Sequence, residues 1–332
     1  MNSNINMKKI YAGLLIFLLI FIFMALYLGD IKVSFKDAVN ILLNRKIEDE
    51  SLRTIILNVR LPRIIMAILI GMLLSCSGTV VQTVFQNPLA DPYIIGISAS
   101  ATFGAVIAFM LGMPDIMYGI LGFIASVIVA LIIFRLSNQK TRTDIASLLI
   151  IGIAVSSFLG AFTSFSMYLI GQDSFKIIAW MMGYIGNASW TKVFILLFPL
   201  GLSVIYFYLK RYDLDLLLSG DEEAHSLGAD IGKLKKNMLI VSSFIIGFSV
   251  AFTGMIGFVG LIAPHTVRLL TKSSSNTKLI PLATLGGGIF LLVCDTIGRT
   301  LLSPVEVPIG VVTAFFGAPF FLYLAMKKKK VG

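Results

Sequence analysis

The amino-acid sequence predicts an all-α polytopic membrane protein with ten transmembrane helices, and three observations carry that reading. Of 332 residues, 57% are hydrophobic and only 13% charged, where a soluble chain of this size carries about a quarter charged residues. The mean hydropathy is +0.93. Apolar runs of about twenty residues, long enough to cross a hydrocarbon layer of roughly 30 Å, recur from one end of the chain to the other. The net charge of +10 falls mainly in short segments between those runs and in the tail Lys327–Lys330. Such placement encodes topology in the lipid bilayer, and no basic face interleaved with aromatics offers itself to nucleic acid.

The runs lie at 10–29, 62–85, 93–112, 115–136, 145–171, 190–209, 238–258, 279–298 and 307–326. A tenth, Gly260 to Leu270, is shorter and contains Pro264, His265 and Arg268, which predicts a short or half-buried helix. Both termini are basic, so both are expected in the cytoplasm, and that requires an even number of crossings. The first run follows Lys8 and Lys9 as a signal peptide would. It exceeds the usual length of such a segment and no small-x-small cleavage site follows, so it is read as an uncleaved span. Cys76 and Cys294 sit inside apolar runs and are read as free, buried thiols. Small residues recur at every fourth position, Gly96, Ser100, Gly104 and Ala108, then Gly310, Ala314 and Ala318, a pattern that lets helix backbones approach closely in lipid. No repeat or long linker divides the chain, so residues 1–332 are expected to form one domain.

Ten crossings place Lys210–Lys236 inside and 30–63 outside. The outer segment gathers Lys32, Lys36, Arg45, Lys46, Arg53, Arg60 and Arg63, a cluster that the topology rule leaves unexplained. Within it, Ser34 and Asp37 are spaced as a helix-start box, with Phe35, Ala38, Val39 and Leu42 following at helical intervals, which predicts a short amphipathic surface helix. Residues 172–189, with Trp180, Tyr184 and the neighbouring Trp190, read as a second interfacial element.

Two segments carry function. The largest polar interruption, 211–236, is centred on Gly220, Asp221, Glu222, Glu223, Ala224, His225, Ser226, Leu227 and Gly228. Ser219 or Asp221 suits a helix start, acidic residues favour a first turn, and Gly228 suits a stop. A short polar helix between two spans is either a docking knob for another protein or an ordinary solvated loop. Gly228 to Lys233 resembles a phosphate loop only superficially, because its spacing is wrong and no Ser or Thr follows the lysine; any ATP must be bound by a partner. The other segment is Arg60-Leu61-Pro62-Arg63. Arginine at mid-membrane costs about 2.5–3.5 kcal/mol, so Arg60 and Arg63 are expected at the outer interface, and Arg299 is expected to emerge on that face too. With only His225 and His265 in the chain and no HExxH, neither a catalytic set, a metal site nor a cofactor motif is legible.

From Arg60 to Gly104 the chain reads RLPR, a glycine, a glutamine and QNPLADPYIIGIS. This stretch resembles the signature of the FecCD-type permeases, importers of iron-siderophores, haem and cobalamin. The resemblance continues in LSGDEEAHSLG from Leu218, GMIGFVGLIAPHTVR from Gly254 and DTIGRTLLSPVEVPIGVVTAFFGAPFFL from Asp295, four blocks in the family's order over nearly the whole length. It implies a type II ABC importer permease fold in a bacterial cytoplasmic membrane. It also implies a second permease subunit, two cytoplasmic ATPase subunits and an extracytoplasmic substrate-binding protein. Gly220 to Gly228 match the helix that docks into the ATPase, and Arg60, Arg63 and Arg299 match arginines that meet glutamates of the binding protein. Thr141 to Ser147 departs from the family's pair of small hydroxyls at the inner constriction, which leaves the inner gate unassigned. Gln82, Ser98, Ser164 and Met167 are candidate pathway groups and equally suit contact with a neighbouring helix. The alternative to an ATP-driven importer is an ion-coupled secondary transporter, which needs acidic or histidine side chains at mid-membrane. Asp295, near a span end, is the acid closest to that role.

Overall fold

The computed structural model describes residues 7–329 apart from residues 30, 32, 46, 48, 92, 94, 95, 140, 141, 144 and 229. Lys32, Lys46, Thr141 and Lys330, named above, lie outside the described residues. The described chain is nearly all helix. It opens with α1 (Met7–Tyr27), the short α2 (Phe35–Leu42) and α3 (Glu50–Thr54), and then α4 (Leu61–Val84). The helices α5 (Ile97–Met110), α6 (Ile116–Ser137) and α7 (Ile145–Ile170) follow, with a two-residue antiparallel pair, β1 (Asn138–Gln139) and β2 (Arg142–Thr143), between the last two. Next come α8 (Phe175–Met181), α9 (Trp190–Leu209), α10 (Arg211–Leu217) and α11 (Asp221–Ser226). The chain closes with α12 (Ile231–Thr253), α13 (Val259–Thr271), α14 (Asn276–Thr300) and α15 (Ile309–Lys329).

Each of the ten apolar runs coincides with a helix. Seven helices are long and apolar enough to cross a membrane by length and composition, and α5 and the apolar part of α15 are shorter apolar helices. The tenth run forms α13, whose residues Val259 to Pro264 are buried. The surface helix α2 begins as the sequence predicts: the Asp37 amide donates to Ser34 Oγ at 3.0 Å, and the Ser34 hydroxyl donates back to the Asp37 carboxylate at 2.6 Å.

Helix α4 is the axis of the bundle. Nearly all of its residues from Ile64 to Val84 are buried, under α14, α12, α13 and α9. Glycine makes this possible, because backbones lie in direct contact where no side chain intervenes. A Cβ at Gly71 would fall on the Gly287 carbonyl of α14, and one at Gly78 on the Gly260 carbonyl of α13. Serines and threonines inside the bundle return their hydroxyls to helix carbonyls, as Thr79 does to Ser75 at 2.9 Å, while Ser75 reaches across to Ala283 of α14 at 2.6 Å. Hydrocarbon offers these groups no water, so these partners come from the chain itself.

A π-helical turn, Ile55–Arg60, joins α3 to α4. The Leu61 amide bonds to the Ile56 carbonyl, so the next donor in that pattern, which would serve the Leu57 carbonyl, is Pro62, and proline has no N–H. Trp190 fills the position: its indole donates to Leu57 at 2.9 Å. Helix α7 is the opposite of α4. It buries a narrow edge, including Leu148, Leu159, Thr163 and Ser166, while Phe158, Phe165 and Tyr168 stand exposed.

These contacts predict opposite outcomes for two glycine substitutions. Gly78→Ala should lower the thermal midpoint of the purified protein by several degrees, because backbone must shift. Gly13→Ala, at a site with no neighbour within 4 Å, should match or exceed wild type, since alanine is favoured in a helix by up to about 1 kcal/mol.

Candidate functional site

The helix ends gather the polar side chains into two clusters, one at each end of α4. At the first, Arg60, Arg63 and Arg299 come together with Asp295 and Glu306. Arg63 grips Asp295 with Nε and Nη2, both at 3.0 Å, and Glu306 with Nη1 at 2.7 Å. Asp295 is 2% exposed, and Arg299, one helical turn further on, lies 3.7 Å from it. The remaining guanidinium groups turn to the C-terminal end of α1. Arg60 donates to the carbonyls of Leu26, at 2.5 Å, and Ile31, and Arg299 donates to those of Ala25 and Leu28, the last at 2.8 Å. A helix leaves its last carbonyls unpaired and carries partial negative charge there. Two arginines from other helices satisfy both needs at once.

The sequence places these three arginines at an outer rim, available to a partner. The structure brings them together at one end of the bundle and turns them inward. Arg60 and Arg299 are each 6% exposed, and the Arg63 side chain is 13% exposed. The cause is the set of carbonyls and carboxylates just described, which burial would otherwise leave unpaired. Asp295 and Glu306 are the parts that sequence reasoning did not assign. The four-residue spacing of Asp295 and Arg299 on one helix face was the available signal.

At the other end, the α10–α11 segment projects between α9 and α12. Helix α11 begins at Asp221 with Gly220 as its cap, at a positive φ of 108° that glycine permits. Neither Ser219 nor Asp221 caps it. The Asp221 carboxylate instead pairs with Lys235 of α12, at 2.6 Å and 2.8 Å. The chain turns after the helix at Gly228, whose φ is 86°. Acidic Asp221, Glu222 and Glu223 occupy the first turn, where the helix dipole favours them. Asp215 of α10 binds the start of α14, accepting from the Asn276 amide at 2.6 Å and from Ser275 Oγ at 2.7 Å. Asn276 in turn accepts from Thr83 of α4 at 3.0 Å. In the α4–α5 connection, Asp91 accepts from the Tyr93 amide at 2.7 Å, and burial pushes its carboxyl up to about 6.

The four candidate pathway residues divide. Gln82 is 2% exposed and ties α4 to α13, donating to the Gly260 carbonyl at 3.1 Å and accepting from Arg268. Ser98 is half-buried and donates to the Met255 sulfur in the break between α12 and α13. Ser164 lies on the exposed surface of α7, with Met167 half-buried beside it. The structure therefore separates two interior ties from two groups on an open helix face.

A bundle of long apolar helices, with a buried charge cluster at one end and a short polar helix at the other, is the build of a membrane transport subunit. Residues 17–327 match the FecCD transport family, and the chain belongs to it. It is a permease subunit and not an enzyme. It is 34% identical to the hemin transport system permease protein HmuU of Yersinia pestis, over 99% of both chains. It is 38% identical to the cobalamin import system permease protein BtuC of Halobacterium salinarum, over 83% of this chain and 74% of that protein. A transporter described as metal-chelate type, solved in an inward-facing conformation, superposes with a TM-score of 0.83 at 30% identity, covering 96% of this chain and 99% of the other.

The arginine cluster yields a prediction. Arg63→Ala leaves Asp295 buried beside a single, longer pair, and removing one partner of a buried ion pair costs about 3–5 kcal/mol. The thermal midpoint in detergent should fall sharply for Arg63→Ala, and the double variant Arg63→Met/Asp295→Asn should recover much of the loss.

Proposed function

We propose that this chain is the translocating subunit of a binding-protein-dependent importer, one of two permeases over two ATPase subunits, and that its cargo is a metal chelate of the iron-siderophore, haem or cobalamin kind, with iron-siderophore the first choice. Ten crossings put both termini and the 211–236 segment in the cytoplasm. The observation that carries the reading is the α10–α11 segment: a short acidic helix with Glu222 and Glu223 exposed, seated at the end of the bundle opposite the arginine cluster, within a chain of this family. Gly220 to Gly228 are assigned to ATPase docking.

In this reading, ATP closes the paired ATPases, the docked helices move, and the permease halves rock to open the pathway to the other side. A ligand or nucleotide shifts such an equilibrium only by binding one state better than the other. The exposed face of α7, with Ser164 and Met167, is assigned to the pathway between the two permeases; its aromatic residues meet lipid or the partner permease. The outer arginines outnumber Asp295 and Glu306 by one charge. That surplus makes the mouth positive and suits it to receive glutamates of a binding protein, with Arg60, Arg63 and Arg299 as the docking groups.

An ion-coupled transporter is the competing mechanism, but Asp295, the acid it would use, is already engaged by Arg63 at 3.0 Å. The test is uptake in vesicles holding this chain with its ATPase and binding protein. Ferric siderophore, haem and cobalamin are offered in turn. Uptake should require ATP and persist when an uncoupler collapses the proton gradient; uptake abolished by the uncoupler with ATP present would establish the ion-coupled mechanism instead. Binding-protein docking should weaken as salt rises, and Arg63→Met should weaken it and flatten that dependence.

A further inference from the structure

Lys235 falls within the 211–236 segment expected in the cytoplasm, yet its side chain is 1% exposed. A fully buried lysine is rare and demands an opposite charge. Its partner is Asp221, the first residue of α11, whose side chain is 47% exposed. The same carboxylate oxygen that Lys235 holds at 2.8 Å accepts a second bond, at 3.0 Å, from Gln86 Nε2. Gln86 Nε2 also donates to the Leu217 carbonyl at the end of α10, at 2.8 Å. Gln86 follows the last turn of α4 and has a left-handed backbone, φ 48°, a conformation that costs a non-glycine residue energy and gathers at functional positions.

The geometry points to Lys235 and Gln86 as positioning residues: together they fasten the docking helix α11 through Asp221 to α12 and to the inner end of α4, so that displacement of α11 is delivered to both helices. This inference rests on the reading of α11 as the ATPase-docking helix and specifies how its motion leaves the segment. The placement favours transmission over simple anchoring. Helix α11 has six residues and few apolar contacts of its own beyond buried Ala224. The hydrogen bonds of Asp221 are thus its stiffest tie to the bundle. Gln86, which donates one of those bonds, follows directly on α4, and α4 runs back through the bundle to Arg63 near its other end.

The asymmetry of exposure selects the variant. Asp221→Ala strands a buried ammonium and endangers folding. Lys235→Met removes the buried charge, fills its space with an apolar chain, and leaves Asp221 to water. Gln86→Glu, at an exposed position, keeps size and sets a like charge against Asp221. Each is assembled with its ATPase and binding protein in vesicles, and transport is measured per ATP hydrolysed, alongside co-purification of the ATPase. The expected result is that both variants keep the ATPase bound while transport per ATP falls about tenfold, within the range typical of energetic coupling between sites. Wild-type transport per ATP in either variant would overturn the role of that residue, and loss of ATPase binding in both would reduce the joint to an anchor. Should wild type itself show no ATP-linked uptake, the importer reading fails, a result distinguishable from failure of the joint alone.

Discussion

Inside a bilayer no solvent stands ready to complete a broken hydrogen bond, and this constraint organises the molecule from one end to the other. Its effect is sharpest where helices stop. The carbonyls ending α1 receive Arg60 and Arg299, and the Leu57 carbonyl, deprived of a donor by Pro62, receives the Trp190 indole. Hydroxyls within the helices fold back on their own turns. The groups most expensive to leave bare thus become the connectors among helices distant in sequence.

The two ends solve the same problem with different chemistry. The first uses arginine, whose planar fork suits carboxylates and paired carbonyls. The second uses a lysine, amides and short hydroxyls around Asp215 and Asp221, and its carboxylates lie nearer to water. One end is consequently dense and closed. The other keeps part of its charge exposed, as expected of a surface that meets a moving partner.

Much of this was legible in the sequence, and the limits follow from physics. Helix positions were readable because apolar length is a local property: ten runs fell on ten helices, including the awkward 260–270 segment. The Ser34–Asp37 start was readable because its partners are three residues apart. The facing of the arginines was not. Local pattern puts Arg60 and Arg63 at an interface, but whether a guanidinium turns out or in depends on the carbonyls of α1 and on Asp295, 232 residues from Arg63. Lys235 and Asp221 escaped for a similar reason: no periodicity marks an ion pair across a turn between two helices. Gln82 was read as a candidate pathway group that equally suits a neighbouring helix; its bond to the Gly260 carbonyl depends on how closely Gly78 admits α13, which no local pattern reveals.

The seam between Gly71 and Gly287 has a mechanical corollary. Where two backbones touch, there are no pliable side chains to absorb sliding or rotation, so α4 and α14 behave as a single mast. That seam makes α4 and α14 the stiffest pair in the bundle, whereas α7, which buries only a narrow edge, is held mainly by side chains.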